Sequence, residues 1–216
     1  GYTVAHFSGQ DDSFGRSIEL LGLDRVDAFY DARQDAEQRT SRSSSAGSLQ
    51  VSWKLLERRV DEYLGSYDGE RPLFLYVNLV DTHFPYSHDE MDDLLAVSPL
   101  DRYGISAANA EAVRATYDNA VANVDLAMKR IVERFREAVG GDDYAILVTS
   151  DHGQGLFEHG FLGGVPGKHH VSPVADQQLP IDSAVLTGDP LEFLKKGSRV
   201  DHHAAGDHRI DAGAKN

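Results

Sequence analysis

The chain of 216 residues contains no cysteine, which excludes disulfide bonds, thiolate metal sites and a cysteine nucleophile among these residues. Basic residues are also scarce: 21 Lys and Arg stand against 35 Asp and Glu, for a formal net charge of -14. A nucleic-acid-binding surface needs clustered Lys and Arg to neutralise phosphates, so this balance argues against one. It is compatible with an anionic substrate, because a bound metal ion can dominate the local field.

Long apolar runs are absent as well. No stretch approaches the roughly 18 uninterrupted apolar residues of a membrane-spanning helix, and residues 1–4 do not have the pattern of a signal peptide. We therefore expect no membrane segment in this sequence, whereas a parent protein could be exported, membrane-anchored or cytoplasmic. The length and the hydrophobic content of 41% are typical of one globular domain. The sequence carries no prediction of oligomeric state.

Five segments have the hydrophobic periodicity of regular elements. Three read as strands. One of them, residues 73–80, is apolar enough to predict that the strand is buried on both faces of the sheet. Two have apolar residues at three- and four-residue steps and read as amphipathic helices, ended by Gly65 and Gly140. The predicted strands are residues 3–8, 73–80 and 144–149, and the predicted helices are residues 49–64 and 113–135. Their order favours an α/β fold with a mostly parallel sheet sandwiched by helices.

The last third of the chain differs in composition. Glycines recur from Gly153 to Gly167, a further strand is predicted over 183–187, and a helical turn is predicted over 190–195. Residues 191–216 are polar and His-rich, with too little apolar area to offset the entropy of ordering them. We expect one α/β domain over residues 1–190, followed by a mobile polar tail.

Asp and His side chains follow two of the predicted strands directly. Asp151 and His152 come after the strand at 144–149, while Asp81 and His83 come after the strand at 73–80. Ligands of open α/β sheets bind where such strand ends converge, and a carboxylate beside an imidazole suits a divalent metal. The pattern fits equally a structural role, in which Asp151 caps a turn and His152 makes a buried hydrogen bond.

Four segments, in this order, resemble the sulfatase and alkaline-phosphatase-like superfamily. Residues 1–7 (GYTVAHF) are similar to its "GYxTxxF" strand, with Val4 where the pattern has Thr. Residues 72–86 resemble "PFFLYVNxxDxHxPY", residues 117–125 resemble "YDNxxxxVD", and residues 149–160 resemble "TSDHGExLGEHG". The likeness extends over about the first 160 residues, and it is the four motifs together that make it specific.

The resemblance implies an enzyme that cleaves or transfers sulfate or phosphate esters of small anionic substrates, using divalent metal ions (Ca, Mg, Mn or Zn). Asp151 and His152 match metal-binding positions, and His83 matches a catalytic histidine that lines the anion pocket. Lys168 and His169 fall near the place where relatives present a basic group to the substrate oxygens. The metal would polarise a non-bridging oxygen, and an imidazole can act as a general acid near neutral pH.

In this superfamily the nucleophile precedes the "GYxT" strand. We therefore expect a partial domain that lacks the nucleophile and hydrolyses little or no ester alone. The predicted function is that of a fragment of a metal-dependent sulfuric-ester hydrolase, with Asp151, His152 and His83 in one cleft. Two alternatives stay open: a phosphotransferase or phosphoester hydrolase of the same superfamily, and a non-catalytic remnant that binds partners.

Overall fold

The computed structural model describes residues 1–40, 48–141, 143–158 and 160–163, and the backbone of 184–186. The strands are β1 (Thr3–Ser8), β2 (Ala28–Tyr30), β3 (Leu73–Asn78), β4 (Ile146–Val148), β5 (Gly155–Leu156), β6 (Leu162–Gly163) and β7 (Ala184–Leu186). The α-helices are α1 (Ser17–Leu21), α2 (Trp53–Ser66) and α3 (Ala110–Val139). Strands and helices alternate from β1 to β4, which is the order that builds parallel crossover units.

The main sheet has three parallel strands. β1 lies between β2 and β3, and its register places Ala5 opposite both Ala28 and Leu75. The predicted α/β fold, with a parallel sheet flanked by helices, is therefore confirmed. β4 pairs antiparallel with β7, and β5 pairs antiparallel with β6. The strand predicted over 183–187 is thus present as the shorter β7.

The two long helices are those that the hydrophobic periodicity predicts. α2 begins after Ser52, whose hydroxyl accepts a hydrogen bond from the backbone N–H of Leu55 at 3.3 Å, as an N-cap does. It ends one residue beyond the predicted Gly65. α3 ends at Val139 and is capped by Gly140, whose φ of 69° is the left-handed conformation that glycine adopts without steric cost.

One face of the sheet packs against α2, and α2 packs in turn against α3. Apolar side chains from the sheet, the two helices and the segments between them form one buried cluster, in which each Val, Leu, Ile or Phe contributes about 1.5–3 kcal/mol when fully removed from water. The buried members are Ala5, Phe7, Tyr30, Ala32, Val51, Leu55, Leu56, Val60, Leu64 and Ile131. This cluster holds the sheet and the two helices in fixed relation, so that the loops after the strands start from a rigid base.

On the other face of the sheet, the described residues leave part of β3 uncovered. Phe74 and Tyr76 of β3 are 56% and 46% exposed, so the prediction that this strand is covered on both faces is wrong for the described structure. His6 of β1 lies beside them and stacks on Tyr76, with ring centroids 4.6 Å apart. A continuous apolar sequence is compatible with burial of a strand on both faces. It does not identify the segment of the chain that would bury each face.

No helix in the described part of the chain is both long and apolar enough to cross a membrane. The helical turn predicted over 190–195 and the tail over 191–216 lie outside the described residues. The boundary at residue 190 therefore stays a prediction.

Candidate active site

Asp151 and His152 follow β4 on an exposed turn. Oδ1 of Asp151 accepts a hydrogen bond from the backbone N–H of His152 at 3.0 Å. Nδ1 of His152 donates to the carbonyl oxygen of Gly153 at 2.7 Å, because a carbonyl can only accept. In the neutral ring this leaves Nε2 with its lone pair. The two side chains are 90% and 49% exposed, so the alternative of a buried hydrogen bond at His152 does not hold.

The free atoms of this pair lie at a distance suited to one cation. Oδ2 of Asp151 and Nε2 of His152 are 3.7 Å apart, too far for a hydrogen bond. Two ligands about 2.1 Å from a tetrahedral ion lie about 3.4 Å apart, close to that spacing. Within the described ranges, no three His, Cys, Asp or Glu side chains converge in a way that could hold a metal. The pair therefore fits part of a metal shell rather than a complete one.

His83 lies in the loop after β3 and is exposed. Its Nδ1 donates to the carbonyl oxygen of Phe84 at 3.0 Å, so its Nε2 also carries the lone pair when the ring is neutral. Two backbone hydrogen bonds shape this loop: the N–H of His83 donates to Val80, and the N–H of Tyr86 donates to His83. His83 and His152 thus share one arrangement, with Nδ1 held by the adjacent backbone and Nε2 left for a ligand.

His88, at the other end of the same loop, is held differently. Its Nδ1 accepts from the backbone N–H of Glu90 at 3.3 Å, and its Nε2 donates to Oδ1 of Asp81 at 2.9 Å. The same oxygen of Asp81 accepts the backbone N–H of Trp53, the first residue of α2, at 3.0 Å. Both ring nitrogens of His88 are therefore occupied, and Asp81 ties the base of the loop to the start of the helix.

Tyr86 connects the two strand-end loops. Its hydroxyl accepts a hydrogen bond from Nε2 of Gln154 at 2.5 Å, and its ring packs edge-on against Tyr117 of α3. Burial raises the pKa of Tyr86 to about 12. A second apolar cluster surrounds this contact and consists of the buried residues Tyr86, Val113, Ala120 and Leu156. The loop that carries His83 and the loop that follows His152 are therefore joined under α3.

A third His–Asp pair, at the carboxyl end of β1, was missed by the sequence analysis. His6 Nε2 and Asp12 Oδ2 are 2.8 Å apart, and Asp12 Oδ1 also accepts from the hydroxyl of Ser8. Burial raises the pKa of Tyr76, which stacks on His6, and the negative charges of Asp12 and Asp151 raise it further. The only sequence signal was a histidine inside an otherwise apolar strand, which does not indicate its partner.

The remaining predicted site residues cannot be placed. Lys168 and His169, predicted to bind the substrate oxygens, lie outside the described residues. Their assignment stays a prediction.

Comparison with known proteins adds a family and a fold. The model of the family described as Sulfatase matches residues 1–190. Among solved structures, the chain is similar to a protein in the alkaline phosphatase superfamily from Vibrio parahaemolyticus, with 17% identity and a TM-score of 0.50 over 88% of this chain and 39% of that one. It is also similar to the lipoteichoic acid synthase LtaP from Listeria monocytogenes, with 18% identity and a TM-score of 0.49 over 70% of this chain and 34% of that one. No curated protein matches the sequence.

Proposed function

The chain belongs to the Sulfatase family, whose model matches residues 1–190, and on that premise we propose that it contributes to a metal-dependent centre that hydrolyses sulfuric esters of small anionic substrates. The observation that carries this proposal is the pair of free ligand atoms after β4, Oδ2 of Asp151 and Nε2 of His152, 3.7 Å apart. The Gly153 carbonyl fixes the His152 tautomer that leaves Nε2 able to bind a metal.

Asp151 and His152 would hold a divalent ion, for which their mixed oxygen and nitrogen donors suit calcium, magnesium, manganese or zinc. When bound, such an ion acts as a Lewis acid on an ester oxygen. The contribution of the chain is to present one carboxylate and one imidazole on a turn that is open to solvent. Lys168 and His169 are proposed to bind the other oxygens of the ester.

His83 is proposed as the general acid of the same site. Its Nδ1–H is held by the Phe84 carbonyl, so a proton gained by the ring resides on Nε2 and can be delivered from there to the leaving oxygen. The hydrogen bond between Tyr86 and Gln154 supports the idea that His83 and Asp151 face one cleft, because it joins their loops.

We propose further that this chain alone hydrolyses little or no ester. The described residues bring two candidate metal ligands together, whereas a catalytic metal site normally has three protein ligands and an open position. Aryl sulfate and aryl phosphate, supplied separately with metal, test both this inertness and the ester class. Robust turnover that Asp151→Ala abolishes would contradict the inertness, and a preference for the phosphate would favour the phosphotransferase or phosphoesterase alternative.

The proposed metal site can be tested by titration calorimetry with Mn²⁺ and Zn²⁺. Changing an outer contact of a metal site typically costs 10–100-fold in affinity, so Asp151→Asn should weaken binding by at least about tenfold. Asp118→Asn, a change at an exposed position of α3, is the matched control and should leave the affinity unaltered. Equal affinities for the wild type and Asp151→Asn would contradict the proposal, and the non-catalytic alternative would then be favoured.

A further inference from the structure

A second polar centre lies beneath the loop that carries His83. The side chain of Asp81 is 1% exposed, and both of its hydrogen bonds, from Trp53 and His88, fall on Oδ1. Its other oxygen, Oδ2, is buried and has no hydrogen-bond partner among the described residues. An unpartnered buried polar atom is costly and therefore calls for an explanation.

Asp81 lines a small cavity between this loop and the segment that leads into α2. Its volume is about 10 Å³, which is room for about one water-sized sphere. The polar residues that line it are Thr40, Gln50, Asp81, His83, Ser87 and His88. The unpartnered oxygen thus belongs to a cavity that fits a single small occupant.

The hydroxyls of Thr40 and Ser87 donate to backbone carbonyls and not to Asp81. Thr40 donates its hydroxyl to the carbonyl oxygen of Gln50 at 3.3 Å, and Ser87 donates its hydroxyl to the carbonyl oxygen of Leu100 at 2.6 Å. Their oxygen lone pairs remain as acceptors, like Oδ2 of Asp81. The first turn of α2 adds a partial positive charge through the Trp53 N–H, but that contact is made by Oδ1.

We propose that this cavity binds one small hard cation through Asp81 Oδ2, separate from the Asp151–His152 pair. Carboxylate, hydroxyl and amide oxygens are the ligands that calcium, magnesium and sodium ions accept, and buried carboxylates are normally paired or bound to metal. The cation would neutralise Asp81 beside His83, and so lower the electrostatic cost of an anion bound there. The binding itself does not rest on the proposed ester hydrolysis.

Thermal unfolding of chelator-treated protein tests the proposal, in an Asp151→Asn background that removes the pair after β4. Calcium, magnesium or sodium chloride should raise the unfolding midpoint above that in choline chloride of equal ionic strength. Asp81→Asn should abolish this rise, because Asn keeps an oxygen for Trp53 and His88 but replaces Oδ2 with an amide. A rise that survives Asp81→Asn, or no rise in the background protein, would overturn the proposal.

A second pair of variants decides the matter if Asp81→Asn does not fold. Thr40→Val preserves the side-chain shape but removes one lining oxygen, and we expect it to weaken the apparent affinity by about tenfold. Thr82→Val changes a residue of the same loop that is not among the cavity lining, and should leave the affinity unaltered. Equal affinities for Thr40→Val and Thr82→Val, or a crystal structure with a water alone at Oδ2 in saturating calcium, would overturn the proposal.

Discussion

The loops after β3 and β4 begin with similar residues and end in opposite environments. In the loop at 81–88, Asp81 is buried and fixed by the start of α2 and by His88. In the loop at 151–158, Asp151 is almost fully exposed, and its one hydrogen bond within the described structure is to its own neighbour. An Asp–His sequence at a strand end therefore does not by itself define a role. The role depends on the hydrogen-bond partners of the ring nitrogens and of the carboxylate oxygens.

Truncating the two carboxylates should have the largest effect, and it tests whether the two loops are held differently. Asp81→Ala leaves two buried donors unpaired, and we expect it to lower the free energy of unfolding by about 2–4 kcal/mol. Asp151→Ala removes an exposed side chain, and the expected change is within about 0.5 kcal/mol. Urea unfolding in chelator-containing buffer measures both. Similar losses for the two variants would show that the loops are not held differently.

An alkaline titration tests the burial of Tyr86, where the two loops meet. The folded-state pKa of Tyr86 is raised from 10.0 to about 12, so the unfolded chain ionises first and stability falls as the pH rises through this interval. Two pKa units correspond to at most about 2.7 kcal/mol. Tyr86→Phe should flatten the decline in unfolding free energy between about pH 10 and 12. Tyr103→Phe, at a residue that is 89% exposed, should leave the decline as it is.

A double-mutant cycle between Tyr86→Phe and Gln154→Ala measures the link between the loops directly. A neutral hydrogen bond contributes about 0.5–1.5 kcal/mol, and we expect a coupling energy of about 1 kcal/mol. The cycle uses unfolding free energies at pH 7, where Tyr86 is un-ionised. Additive effects of the two substitutions would mean that the loops are independent, and the proposed common cleft would lose its support.

The sequence predicted the two long helices and the strands β1, β3 and β4 because their hydrophobic periods are set locally, whereas the short β2 and α1 were not predicted. The helix ends at Ser66 and Val139 follow from nearby polar residues and glycines, and the structure places them within a few residues of the prediction. The open face of β3 was not foreseen, since Phe74 and Tyr76 have the apolar character of buried residues.

The candidate site was predictable only in part. Asp151, His152 and His83 could be proposed because each closely follows a strand. The contacts that support these residues could not be predicted, because the hydrogen bond from Gln154 to Tyr86 joins residues 68 positions apart. The role of His88 was equally hidden, since only the fold shows that both of its nitrogens are occupied.

The exposed aromatic side chains of β3 affect how the protein behaves in solution. Phe74 and Tyr76 place aromatic surface in water on an extended strand, a feature associated with self-association. The net charge of -14 opposes this by repulsion between molecules, but added salt screens charges beyond about 10 Å at 0.1 M. We therefore expect the protein to remain dispersed in dilute buffer and to aggregate as the ionic strength rises.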